Sequence, residues 1–195
     1  MAAEGIRIAL DAAEVFAALK LTDAAADDKP ELLSRIGAYL VTSSQRRFER
    51  ETGPDGQPWQ RLSPRTAERR IGSRERGYSN ILRVSGRLQQ SIVSQVVADE
   101  MHVGTNVKYA AIHQLGGEIE MQERQQTIYQ HYDKRTDTFD PKFRTKKRSN
   151  FARDVTVKAH TITMPARPYL GIDDADRAEV TEIVAEFYRE KAGLQ

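Results

Sequence analysis

Apolar positions recur along this chain with two different spacings. Ile6, Ile8 and Leu10 alternate with polar or small residues, the period of a short strand. Asp11 is placed to cap a helix running to about Lys20, with Val15, Phe16 and Leu19 on one face. Residues 22–30 read as a linker or turn. From Pro30 the spacing becomes helical: Leu32, Leu33, Ile36 and Leu40 form a stripe that Phe48 extends, predicting a helix to about Glu51 with Pro in its first turn. Gly37 either weakens that stripe or admits a close helix contact. Gly53-Pro54-Asp55-Gly56-Gln57-Pro58 is a turn cluster. Ser63-Pro64 caps and starts a short basic helix. Residues 71–80 carry no apolar period and predict a mobile loop.

Ser85 to Leu88 predicts a bend into a short helical turn. Ile92, Val93, Val96 and Val97, then Asp99-Glu100, then Met101–Gly104 predict an antiparallel hairpin. Tyr109 to Leu115 reads as a short buried helix or turn ended by Gly116-Gly117. Ile119 to about Ile128 reads as a strand. Residues 131–153 show neither period, and so long an unpatterned stretch predicts a projecting arm or hairpin. Val155 and Val157, then Ile162 and Met164, alternate again and should return the chain to the sheet before Pro165. Asp173-Asp174 puts acids at the start of a terminal helix whose buried face is Val180, Ile183, Val184 and Phe187.

The predicted class is α+β. A small antiparallel sheet packs against a long helix in the N-terminal half and a C-terminal helix. In domain terms, 1–29 is an N-terminal extension, 30–120 with 155–195 is the core, and 121–154 is an inserted basic arm. A chain of 195 residues, 39% hydrophobic and with one Trp, allows one ordinary domain with a modest core. No apolar run reaches membrane-spanning length, and the first residues lack the pattern of a secretory signal. With no cysteine, disulfides and thiolate metal sites are excluded, which fits assembly in a reducing cytoplasm.

Net charge is +2 but unevenly spread. Residues 61–87 carry eight Arg and two acids; residues 121–160 carry ten basic and five acidic residues. That leaves a net −9 on the remainder. Segregated charge suits complementary surfaces between subunits, contact with nucleic acid, or solvated loops.

Catalytic chemistry finds little support. The four His show no ligand spacing, and no Gly-x-Ser-x-Gly, Walker A or GxGxxG pattern is present, so no catalytic, cofactor or metal site is assigned. Asp173, Asp174 and Asp176 read as helix-start acids rather than metal ligands. His113 lacks a nucleophile and an orienting acid in its motif and reads as structural or interfacial. Trp59 reads as a loop anchor, with ligand binding as the alternative. In 142–153, Lys142, Arg144, Lys146, Lys147, Arg148 and Arg153 could neutralise phosphates. Phe143 and Phe151 could stack on bases or pack on a partner. No groove-reading helix or known recognition module accompanies them, which favours docking on a neighbouring protein or subunit.

Two stretches join apolar residues to Gly and Pro corners: "GTNVKYAAIHQLGG" from Gly104 and "MPARPYLGI" from Met164. Their Pro residues remove amide donors and fix the path into the last helix. Arg167 between them can form a bidentate carboxylate pair, within its own subunit or across an interface. With "RRFERETGPDGQPWQRLSP" and "ILRVSGRLQQSI", in the same order over roughly residues 30–190, these pieces resemble the phage virion morphogenesis (tail completion) family of Mu-like phages. The long stretch 121–160 and the N-terminal extension depart from smaller members. The resemblance implies a structural virion protein assembled in the host cytoplasm. It implies a homo-oligomeric ring, a hexamer, terminating the tail at the head–tail junction. Tail tube or connector proteins would be its neighbours. A sequence-independent DNA-contacting or capsid assembly factor is the alternative. Interface candidates are Trp59, Tyr109, His113, Arg167 and Tyr169, together with Lys142, Phe143, Arg144, Lys146, Lys147, Arg148 and Phe151 of the arm.

Overall fold

The computed structural model describes residues 6–10, 28–72 and 80–191. The helix expected over 11–20, most of the linker before Pro30 and most of the loop expected over 71–80 lie outside them. The chain divides into two compact units, one formed by residues up to Gly117 together with those from Pro165, the other by Glu118–Met164.

In the first unit, strands β1 (Ile6–Leu10), β2 (Val93–Val97) and β3 (Glu100–Thr105) form an antiparallel sheet in the order β1-β3-β2. The β2–β3 hairpin pairs Val97 with Glu100 across a two-residue turn, and Ala98 takes a φ of 53° to make it. Helix α1 (Lys29–Arg50) lies on β2 and β3. Its stripe of Leu32, Leu33, Ile36, Leu40 and Phe48 is buried as its spacing predicts. Helix α1 has Pro in its first turn, Glu31 near its N-terminus and Arg47 and Arg50 in its last turn, which suits the helix dipole. Glu51 stops it in a left-handed conformation, its amide donating to Arg47 O. Gly37 permits a close approach, but to a strand rather than a helix: a Cβ there would stand 2.8 Å from the Ser94 Cβ of β2.

The short helices are α2 (Pro64–Gly72), α3 (Arg87–Gln90) and α4 (Ala110–Leu115). The expectation of a buried helix after Tyr109 needs correction. Only Ala110 of α4 is buried, and Leu115 is exposed. Helix α5 (Asp174–Lys191) packs on α1 through Val180, Val184 and Phe187. The core joins these to Trp59, Ile81, Leu88, Ile92, Met101, Val103, Val107, Tyr169 and Leu170.

The second unit is built from two-stranded antiparallel pairings. Strand β4 (Gly117–Met121) pairs with β9 (His160–Met164), and β5 (Arg124–Gln130) pairs with β8 (Phe151–Val157). Strands β6 (Tyr132–Asp133) and β7 (Thr138–Phe139) form a small hairpin. A 3-10 turn at Lys146–Arg148 precedes β8. Two expectations change. The single strand over Ile119–Ile128 is two strands, because its halves pair with different partners. The segment before Pro165 pairs with β4 instead of joining the three-stranded sheet. Among the described residues the fold is α+β with small antiparallel sheets and no closed barrel.

Candidate interaction site

Three segments of the first unit converge: the turn Gly53–Trp59, the end of α4, and Pro165–Ile172. The two prolines remove their own amides from the last segment and fix its path. Side chains and carbonyls from the other two segments bond several of its polar groups. The Arg167 amide donates to His113 O at 2.7 Å. The Gln114 side chain spans the next two residues: its Oε1 accepts from the amides of Tyr169 (2.9 Å) and Leu170 (3.0 Å), and its Nε2 donates to Leu170 O at 2.8 Å. The Trp59 indole donates to Pro168 O at 2.8 Å, and the Tyr169 hydroxyl donates to Ala110 O at 3.2 Å. Phe48 meets Trp59 edge-on and lies tilted against Tyr169, with centroids 5.4 and 5.0 Å apart. Gly171, at φ 155°, passes so near Pro54 that a Cβ would lie 2.6 Å from its Cγ.

Beneath this segment lies a buried ionic network. Arg47 Nη1 donates to Gly171 O at 2.8 Å and Tyr169 O at 3.3 Å. Its Nη2 reaches Asp173 Oδ2 at 3.1 Å and pairs closely with Asp176. Asp176, 1% exposed, also accepts from Ser43 Oγ (2.5 Å) and Tyr39 OH (3.1 Å). Burial, then the Asp176 carboxylate, pushes the Tyr39 hydroxyl up to about 12, so it remains a donor. Asp173 and Asp176 cap α5 reciprocally, each carboxylate accepting from the other's amide. The charges are therefore paired and the carboxylate oxygens satisfied, while the buried Arg47 Nε makes no hydrogen bond among the described residues.

Burial alone would raise the Asp173 carboxyl, but the Asp176 amide and Arg47 outweigh it and hold its pKa below the ordinary value. A folded-state pKa below the unfolded one stabilises the fold above the unfolded value and loses that contribution as pH falls through the folded value. Denaturant titrations from pH 6 to pH 2 should therefore show stability falling below about pH 4, and Asp173→Asn should flatten the fall. An equally steep profile in the variant would refute this assignment.

The sequence-predicted candidates fall into distinct settings. Trp59, Arg167 and Tyr169 are buried. Arg167 Nε donates to Gln60 O at 3.0 Å, and burial followed by the charge of Arg70 lowers its pKa. His113 is half-buried. Desolvation, then the Arg167 charge, lowers its pKa below the ordinary value. Tyr109 is exposed and meets the His113 ring edge-on at 5.8 Å. Tyr109, His113, Trp59, Arg167 and Tyr169 all belong to the first unit. The remaining candidates lie in the second unit. There Lys142, Phe143, Arg144, Lys146, Lys147, Arg148 and Phe151 are exposed. Arg144 pairs with Asp140; the other four cations make no ion pair among the described residues. Phe151 packs on Phe139, and Phe139 on Tyr132, at 4.9 and 5.0 Å.

Arg47, Gln114 and Asp176 were not singled out for these roles by the sequence. A signal for Arg47 did exist. Leu33, Ile36, Leu40, Ser44 and Arg47 continue one helical stripe at spacings of three and four, so a cation stands where the core continues. Such a cation needs a carboxylate, and the acids after Gly171 supply one.

The two stretches that carry the family resemblance are thus hydrogen-bonded to each other through His113, Gln114, Arg167, Tyr169 and Leu170. The profile of the phage virion morphogenesis family matches residues 10–188. The chain belongs to that family. A protein of Escherichia phage Mu with the provisional name capsid assembly protein G is 26% identical over 152 residues, spanning 76% of this chain and 72% of the Mu protein. No solved structure matches the chain. Membership assigns this virion morphogenesis protein a role in building the phage particle. The names of the family and of the Mu relative describe assembly rather than catalysis. Among the described residues no helix is long and apolar enough to cross a membrane.

Proposed function

We propose that this protein is a non-enzymatic, ring-forming tail terminator or tail completion protein, built into the virion at the head–tail junction after assembly in the host cytoplasm. Six copies form the ring, and tail tube or connector proteins are its neighbours. The observation that carries this reading is the joining of the two family stretches into one rigid piece by Gln114 and its neighbours. Rigidity suits a ring. Each subunit contact is repeated around a closed symmetry, so a fixed subunit shape sets the closure angle, and modest surfaces add to a stable object. Little of the site is suited to bond-making: its Arg is buried against a carbonyl, and among the described residues neither a nucleophile nor an orienting carboxylate is hydrogen-bonded to its His.

The test is deletion of the gene from a phage that encodes it, followed by electron microscopy of the lysate and sedimentation of the purified protein. Expected are unjoined heads and tails of irregular length, a six-copy particle in solution, and the polypeptide in purified virions. Normal virions from the deletion would refute the reading. A second reading, a capsid assembly factor, draws on the name of the Mu relative. Its mark would be a deletion that leaves defective heads, with the protein absent from mature particles.

A further inference from the structure

The turn before β8 is an unusual piece of surface. Residues 141–150 hold five cations and no carboxylate. Lys146, Lys147 and Arg148 follow one another in the 3-10 turn. The turn is held by the Arg148 amide on Thr145 O at 2.8 Å and by Ser149 Oγ on Lys146 O at 3.1 Å. Like charges at successive positions repel, so the turn is held against its own electrostatics. Beside it Phe143 is 70% exposed.

The same chain carries the opposite surface. Residues 174–186 of α5 hold five carboxylates and one Arg, and every carboxylate but the buried Asp176 is exposed. Glu179, Glu182 and Glu186, all exposed, are spaced three and four residues apart and so share one helix face. Glu179 and Glu186 make no ion pair among the described residues. Among the described residues Glu182 pairs with Arg189 alone, in a pair open to solvent.

We propose that the basic turn Lys146–Arg148 of one copy docks on the Glu179–Glu182–Glu186 face of a second copy. The inference rests on the ring reading and names the contact between neighbours. Charge complementarity favours a second copy over DNA: a net-neutral pairing is available within the chain itself, and repetition around a ring uses every turn and every helix once. Of the arm aromatics, Tyr132, Phe139 and Phe151 pack on one another, and Phe143 is the most exposed.

The full chain is tested in three forms: a turn reversal (Lys146→Glu, Lys147→Glu, Arg148→Glu), a helix reversal (Glu179→Lys, Glu182→Lys, Glu186→Lys), and both together. Sedimentation velocity reads assembly, and circular dichroism checks folding. Each reversal alone should raise the subunit dissociation constant at least tenfold, and the combination should restore it. Zero-length carbodiimide cross-linking of mixed 15N-labelled and unlabelled protein should give Lys147–Glu182 peptides of mixed isotope. Rings that form equally well from both single reversals would overturn the docking and leave the ring reading standing. Cross-links confined to one isotope would also overturn it. If the turn reversal leaves assembly intact but abolishes salt-sensitive retention of random duplex DNA, nucleic acid is the occupant and the proposal fails. Wild-type protein that stays monomeric at every concentration would sink the ring reading and this contact together.

Discussion

Asp176→Ala is expected to destabilise the protein by about 3–5 kcal/mol, the range for breaking a buried ion pair from one side. Asp176 is 1% exposed and Arg47 4%. Without the carboxylate, Arg47 keeps only the partly exposed Asp173 as a counter-charge. Tyr39 and Ser43 lose the acceptor they share, and the Asp173 amide loses its cap. For a chain of this length that corresponds to a fall in Tm on the order of 10 °C, readable by calorimetry or by the guanidinium midpoint. The double variant Arg47→Met/Asp176→Leu should be more stable than Asp176→Ala alone, because it removes both charges and leaves neither uncompensated. It should not reach wild type, since the carbonyls of Tyr169 and Gly171 lose the Arg47 donor. A single variant within about 1 kcal/mol of wild type would mean the pair is not closed in solution.

That network marks where sequence reading succeeds and fails. The stripe on α1 was legible because five apolar residues repeat at helical spacing and so share one face. Arg47 continues the same stripe, yet an Arg near a helix C-terminus reads as a dipole partner or solvated charge. Its core role depends on Asp176, 129 residues away, and no local pattern encodes that distance. In the sequence Asp176 reads as one acid of a helix start; in the structure it does cap, and the same carboxylate also serves the core. The terminal helix was legible through Val180, Val184 and Phe187. In the second unit the alternation of Val155 with Val157 and of Ile162 with Met164 identified strands. Their partners were not legible, because exposed two-stranded ribbons carry no buried face to specify register. The break between β4 and β5 at Gln122-Glu123 has no Gly or Pro to announce it. The interface candidates divide along the same line. Trp59 and Tyr169 were conspicuous as aromatics but lie in the core, whereas Gln114, an unremarked amide beside His113, holds the segment to which both residues are bonded.

Gln114→Ala should therefore have an effect out of proportion to its size, about 2–4 kcal/mol. Two amides and one carbonyl of Tyr169 and Leu170 lose their partner, and each polar group stranded near the core costs about 1–3 kcal/mol, less than additively where water can enter. Tyr169 and Leu170 are both buried, so relaxation of their backbone would disturb the Phe48–Trp59–Tyr169 contacts. Gln114→Glu separates the donor from the acceptors. Its carboxylate can still accept from both amides but cannot donate to Leu170 O, against which it places negative charge. At neutral pH it should fall between wild type and Gln114→Ala. As pH falls through its pKa the protonated side chain regains a donor, so its deficit relative to wild type at the same pH should shrink. A constant deficit from pH 7 to pH 4 would show that Gln114 does not donate to Leu170 O. In the phage, Gln114→Ala should lower the yield of joined particles more than its stability loss alone implies, because the two stretches it ties together would no longer hold one fixed angle. A stability-matched core variant such as Val184→Ala is the comparison: equal yields of joined particles from the two would show that the tie matters only for folding.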